Sequence, residues 1–182
     1  MEPFDVKLSP KMWALGRKIG TSRRKTNSGR RSNHDRGNKN DLYDTLGVVG
    51  ELALFRWLKK EGVVISSQEI RKHLYNPKGG WAVKGPDGGG LDAKFFNLDQ
   101  PVPVYAKINK RKHEQLAKGG ECSAYFGVIG KADRELASAI VIPFEDIPEK
   151  WELRDFGYGD PCYTIDVAEL ITEDRLHEIR SS

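Results

Sequence analysis

The chain has 182 residues, 38% of them apolar and 31% charged, which fits one soluble globular domain with polar appendages and length enough for a real core. No apolar run approaches the roughly 18 residues of a membrane span, and Met1-Glu-Pro-Phe-Asp5 lacks the basic start and apolar stretch of a secretion signal. Cys122 and Cys162 alone make neither a disulfide framework nor a four-ligand zinc site. A cytoplasmic protein with two free thiols and no membrane partner is expected, in the host cytoplasm if the source is viral.

The net charge of +4 hides an asymmetry. Residues 1–40 carry five Lys and six Arg against Glu2, Asp5 and Asp35, a net of +8, while the rest carries 19 basic and 23 acidic side chains, a net of −4. A basic arm on a mildly acidic body points to a polyanion, most commonly nucleic acid, whose neutralised phosphates release counterions. The plainer alternative is a solvated basic tail. Within the arm, Pro10 to Ile19 predicts a helix, with Ser9 as N-cap and Met12, Leu15 and Ile19 on one face. Thr21 to Asn40 has no apolar residue and predicts an extended or mobile segment that orders on DNA. The chain therefore divides into a basic helix and arm over residues 1–40 and an α/β core over residues 41–182.

Asp41 to Lys60 predicts the strongest helix. Leu42, Leu46, Val49, Ala53 and Trp57 recur at helical spacing, and Leu52, Leu54, Phe55 and Leu58 widen the apolar face. Glu61-Gly62 ends it, Val63-Val-Ile65 reads as a short strand, and Gln68 to Leu74 reads as a short helix or loop. Trp81 to Lys84 and Leu91 to Phe96 flank Gly85-Pro-Asp-Gly-Gly-Gly90, the pattern of a hairpin. Val102 to Asn109 predicts a third strand with Val104, Ala106 and Ile108 on one face, and Lys110 to Lys118 a polar helix. Cys122 to Ile129 and Ala137 to Ile142 predict core strands, and Asp166 is expected to cap a last helix carrying Val167, Leu170, Ile171 and Ile179. This order predicts a mixed α/β sheet without internal repeats.

The densest chemistry lies in Lys84-Gly-Pro-Asp-Gly-Gly-Gly-Leu-Asp-Ala-Lys-Phe-Phe96. Residues two apart on a strand face the same side, so Asp92 and Lys94 project together, with Asp87 just before them in the glycine turn. Acids that share a divalent metal, with a lysine beside them, form a recurring toolkit for cutting phosphodiesters. Mg²⁺ suits such a site because it takes few carboxylates and fills its other positions with water and phosphate oxygens. The plain alternative is a polar hairpin with an ordinary Pro-Asp-Gly-Gly turn and exposed edge residues. Upstream, Gly47-Val-Val-Gly-Glu-Leu-Ala-Leu-Phe-Arg-Trp-Leu58 sets Glu51 among apolar neighbours, where an ionised carboxylate is costly unless paired or metal-bound. Gly47, one turn away, would let this helix press close to a sheet. Otherwise Glu51 makes a surface ion pair with Arg56 or Lys60.

Gly47-Val-Val-Gly-Glu51 on a helix, followed by Pro86-Asp87 and Asp92-Ala-Lys94 on a strand, resembles the PD-(D/E)XK superfamily of restriction-endonuclease-like nucleases. Ala124-Tyr-Phe-Gly-Val-Ile129 and Ala139-Ile-Val-Ile-Pro143 resemble its later core strands, so the likeness covers roughly residues 10–147 through short motifs. Arg17 to Asn40 ahead of the Gly-x-x-Gly-Glu helix is similar to small uncharacterised phage proteins of that type. The resemblance implies a restriction-endonuclease-like mixed central sheet flanked by helices, behind a basic N-terminal arm. It also implies Glu51, Asp87 and Asp92 as ligands of Mg²⁺ (or Mn²⁺ in its place) and Lys94 as the catalytic lysine. Two departures stand out. Only four residues separate Asp87 from Asp92, and Ala82 stands on the preceding strand where a first acid would otherwise sit. A second registration takes Asp92 as the first acid and Tyr105-Ala-Lys107 as a degenerate second motif, although tyrosine is a poor Mg²⁺ ligand.

The expected function is a Mg²⁺-dependent DNA endonuclease or nickase. Arg17, Arg23, Arg24, Lys25, Arg30, Arg31 and Arg36 of the arm, with Lys107, Lys110 and Arg111 after the third strand, are the expected contacts to the nucleic-acid backbone. Lys112 and His113 continue that last run, which grips the backbone beside the cut or is simply a solvated helix face. RNA remains open as a partner, and cutting both strands of a duplex implies two sites and hence a homodimer. The rival is a non-catalytic nucleic-acid-binding protein on a degenerate nuclease fold. A third class is a phage protein that binds a host protein through its basic arm. His34, His73, His113 and His177 have no metal-ligand spacing, which disfavours a histidine-metal nuclease.

Overall fold

A helix that is apolar on most sides belongs between two layers, and the Asp41-to-Lys60 segment has that pattern. In the computed structural model, which describes residues 2–27, 40–75, 83–120, 122–157 and 160–182, it lies between a β-sheet and two further helices. In chain order the elements are β1 (Phe4–Lys7), α1 (Pro10–Asn27), α2 (Asn40–Lys60), α3 (Ser67–Tyr75), β2 (Val83–Lys84), β3 (Gly90–Asn97), β4 (Tyr105–Asn109) and α4 (Lys110–Gly119). There follow β5 (Ala124–Gly130), β6 (Leu136–Pro143), α5 (Asp146–Lys150), β7 (Glu152–Arg154), β8 (Cys162–Asp166), a short 3₁₀ turn (Val167–Glu169) and α6 (Glu173–Ser181). Among the described residues, no helix is long and apolar enough to cross a membrane.

One sheet has the strand order β1-β6-β5-β3-β2, with β3 and β5 parallel and the other pairs antiparallel. The class is therefore mixed α/β, and β2 with β3 is the predicted hairpin. Strand alternation splits the core between two faces of this sheet. Leu46, Val49, Ala53, Leu54 and Leu58 of α2 pack on one face against Leu91, Phe126 and Val128. On the other face Phe96, Tyr125 and Ile129 join Val104, Ala106, Ile108, Ile147, Trp151 and Ile179. The remaining side of α2 gives Val48 and Phe55 to Ile19 and Leu74.

Helix α1 approaches α2 very closely, through Gly16 and Gly20. A Cβ at Gly16 would stand 2.6 Å from Val49 Cγ2, and one at Gly20 would stand 2.9 Å from the Thr45 backbone nitrogen. Gly50, not Gly47, is the glycine over the sheet: a Cβ there would lie 3.6 Å from the Lys94 carbonyl carbon, whereas at Gly47 it would meet nothing within 4 Å.

Several expectations change. Thr21 to Asn27 is helical rather than extended, because α1 continues along α2 and α3 and ties itself there through Arg23. Residues 28–39, the rest of the expected mobile segment, lie outside the described residues. The division at residue 40 is not a structural boundary for what precedes it: β1 pairs with β6, and Trp13 and Ile19 are buried. Val63-Val-Ile65 is unpaired chain. Gly62, at φ +81°, ends α2 with Gly62 N–H donating to Lys59 O and Val63 N–H to Leu58 O, and Val64 is left 97% exposed. The third strand, β4, does not extend the hairpin; it opens a second sheet of order β4-β8-β7. Asp166 caps the 3₁₀ turn, and Thr172 caps α6 separately.

Candidate functional site

The alternation of β3 turns Leu91 and Phe95 toward α2 and leaves Asp92 and Lys94 on the opposite face, beside Tyr125 of β5. Lys94 pairs directly with Asp92, and its ammonium lies 5.2 Å from the centre of the Tyr125 ring. A second lysine arrives from α4. Asn109 caps that helix by accepting from Lys112 N–H at 2.9 Å, and Lys112 Nζ lies 3.6 Å from Asp92 Oδ2. Burial pushes the Asp92 carboxyl up, but the Lys94 and Lys112 charges and their hydrogen bonds outweigh it and hold the group below the ordinary carboxylate range. Lys112 is lowered to about 8, first by the Lys94 ammonium and then by burial, against the pull of Asp92. Burial raises the Tyr125 phenol, and the nearby Asp92 adds to it; the same two causes, in the same order, push the Cys122 thiol up to about 11.

Glu51 reaches the neighbourhood from α2, the helix packed on the other face of the sheet. Its carboxylate accepts two bonds from Arg23, Nη1 to Oε1 at 2.9 Å and Nη2 to Oε2 at 2.5 Å. Arg23 also donates from Nε to Leu74 O at 2.6 Å and from Nη2 to His73 O at 3.3 Å, capping α3. His73 Nε2 stands 3.8 Å from Glu51 Oε2, and burial lowers the imidazole below its ordinary value. Both acid groups act on shared neighbours: Lys112 and His73 each feel the charge of Glu51 and of Asp92. Four elements, α1, α2, β3 and α4, thus bring two acids and three cations together, with His73 of α3 beside them. Asp87 is elsewhere in role, exposed at the hairpin tip, where its Oδ1 accepts from Gly89 N–H at 3.0 Å.

No protein-family model, no curated protein and no solved structure matches this chain. The chemistry of the site rests on its own residues.

Among the described residues, no group of three His, Cys, Asp or Glu side chains gathers as a metal-holding set. The donors present still suit Mg²⁺, which needs only one or two carboxylates beside water and phosphate oxygens. Asp92 and Glu51 are the side chains that would hold it.

The predicted nucleic-acid contacts are scattered. Arg17 is committed to Asp133 at the surface, and Arg23 is largely buried on Glu51. Arg24 and Lys25 continue α1 with side chains outside those described, and Arg30, Arg31 and Arg36 lie outside the described residues, as does Ala82. Lys107, exposed on β4, covers the Phe156 ring at 4.1 Å. Lys110 pairs at 3.8 Å with Glu114, and Arg111 is exposed. Three residues of the cluster were not assigned to it from sequence. Sequence alone puts Arg23 among the phosphate contacts, Lys112 in the basic run after the third strand, and His73 among histidines without metal-ligand spacing. Only Lys112 carried a usable signal, being on the turn that follows a capping asparagine.

Proposed function

We propose that the protein hydrolyses phosphodiester bonds in nucleic acid, as a Mg²⁺- or Mn²⁺-dependent DNA endonuclease or nickase of the restriction-endonuclease-like type. One observation carries the reading: a carboxylate and a lysine in contact on one strand face, with a second, arginine-held carboxylate acting on the same neighbours. Asp92 and Glu51 would hold a divalent ion, which would supply Lewis-acid stabilisation of charge on the phosphate. Lys94 orients the attacking water and steadies the developing negative charge, while Arg23 fixes the direction of Glu51. A monomer of this kind nicks; cutting both strands calls for a homodimer. Supercoiled plasmid incubated with Mg²⁺ or Mn²⁺ tests it. Nicked or linear product is expected from the wild type and is expected to fall at least about 100-fold in both Asp92→Ala and Lys94→Ala.

A second reading draws on Asp87, which is spent on its own turn, and on the cation pairing of both remaining carboxylates. These favour a nucleic-acid-binding protein that no longer cuts. Plasmid retarded on a gel without metal-dependent product, unchanged by Asp92→Ala, would establish that reading instead.

A further inference from the structure

Lys112 sits in Asn109-Lys-Arg-Lys-His113, a run that reads in sequence either as a grip on the backbone beside the cut or as a solvated helix face. Its ammonium instead lies 3.6 Å from Asp92 Oδ2, the same oxygen that Lys94 holds from the strand. Two ammonium groups therefore share one carboxylate. The other carboxylate, Glu51, is taken by Arg23 through two hydrogen bonds. Among the described residues of the cluster, one positive charge is left uncompensated. It is also the most open: the Lys112 side chain is 42% exposed, against 17% for Lys94 and 11% for Asp92. A structural ion pair needs one lysine for one carboxylate. A second lysine that repels the first and keeps part of its side chain in solvent has the charge and the access to take an anion.

We infer that Lys112 is the substrate-holding residue of this site, its ammonium taking a non-bridging phosphate oxygen of a nucleic-acid strand while Lys94 stays at Asp92. The inference rests on the phosphodiester reading above and adds to it the contact that seats the strand. A charge-assisted hydrogen bond of this kind is worth about tenfold in affinity, and loss of one phosphate contact makes the salt slope shallower by about one.

The test is fluorescence anisotropy of a short labelled DNA duplex titrated with the full chain in EDTA at several salt concentrations, beside plasmid cleavage in Mg²⁺. Wild type is compared with Lys112→Ala, Lys112→Arg and Lys118→Ala, the last altering an exposed lysine at the far end of α4. Thermal melting checks that each variant is folded. Binding by Lys112→Ala is expected to weaken about tenfold with the shallower salt slope, Lys112→Arg to restore it, and Lys118→Ala to leave it unchanged. Equal binding by Lys112→Ala and wild type overturns the inference, as does an equal loss in Lys118→Ala or no binding by the wild type. Cleavage by the wild type that Lys112→Ala retains in full sinks the inference and spares the hydrolase. Weakened binding by Lys112→Ala in a protein that cuts nothing keeps the phosphate contact and discards the hydrolase.

Discussion

Arg23 reaches across three helices, and its removal tests how far a single side chain holds the site in shape. Without it, the Glu51 carboxylate would lose both its hydrogen bonds at a place where each partner is less than a fifth exposed, and two carbonyls at the end of α3 would lose their donor. Taking away one member of such a pair costs more than the pair itself contributes. Arg23→Ala is expected to lower unfolding free energy by about 2–3 kcal/mol. Arg17→Ala, whose partner Asp133 is largely exposed, should cost less than about 1 kcal/mol; urea denaturation of both variants distinguishes them. A pH effect belongs to His113, which stacks on Phe144 at 4.0 Å and hydrogen-bonds through Nδ1 to the Tyr125 hydroxyl. Burial, partly offset by Glu114, sets its folded value below the ordinary one. The unfolded chain then takes up a proton that the folded chain refuses. The stability is present above about pH 6.5, the unfolded value, and is lost as pH falls from there through the folded value. Urea midpoints at pH 7.5 and about 5.5 should fall in the wild type and fall less in His113→Phe.

Between elements, backbone distance decides which glycines matter. Gly20→Ala would drive a methyl into the Thr45 backbone, which has no rotamer to yield, and is expected to cost about 1–3 kcal/mol. Gly47→Ala meets open space within α2 and should instead stabilise by up to about 1 kcal/mol through helix propensity. Thermal melts of the two variants should move in opposite directions. The same distances show where sequence reading runs out. Periodicity located α2, the hairpin, β5 and β6, because a long or strictly alternating apolar face is written into neighbouring residues. It named Gly47 where Gly50 is the glycine over β3, since a glycine's neighbours across a gap leave no local trace. Strand β4 was visible as a strand but not as a member of a second sheet, because its partner β8 comes from residues 162–166. Strands β1 and β7 are too short to carry a pattern. Asp92 and Lys94 were legible from a spacing of two. The partner of Glu51 was not, because Arg23 lies in a stretch without apolar residues whose helix is imposed by packing.

At the scale of the whole molecule, the basic N-terminal segment is part of the core for as far as it is described. Trp13 Nε1 donates to Arg134 O at 2.9 Å, β1 closes one edge of the sheet, and Arg175 of α6 pairs with Asp5 at 2.7 Å. Deleting residues 1–27 should therefore unfold the remainder rather than release a core lacking only its arm. Circular dichroism and limited proteolysis of the truncated chain measure this; a cooperative melt close to that of the full chain would refute it. The parallel pairing of β3 with β5 has its own consequence. Parallel neighbours cannot be joined by a tight turn, so the chain between them must travel over the sheet and return, carrying β4 and α4 with it. Closing so long a loop is entropically slow. Lys112 rides on that excursion, while Asp92 waits on the strand where it begins. The strand alone carries one lysine for its carboxylate, and the second arrives only with the crossover, so the site's excess of positive charge is a product of the tertiary fold and not of the β3 segment by itself.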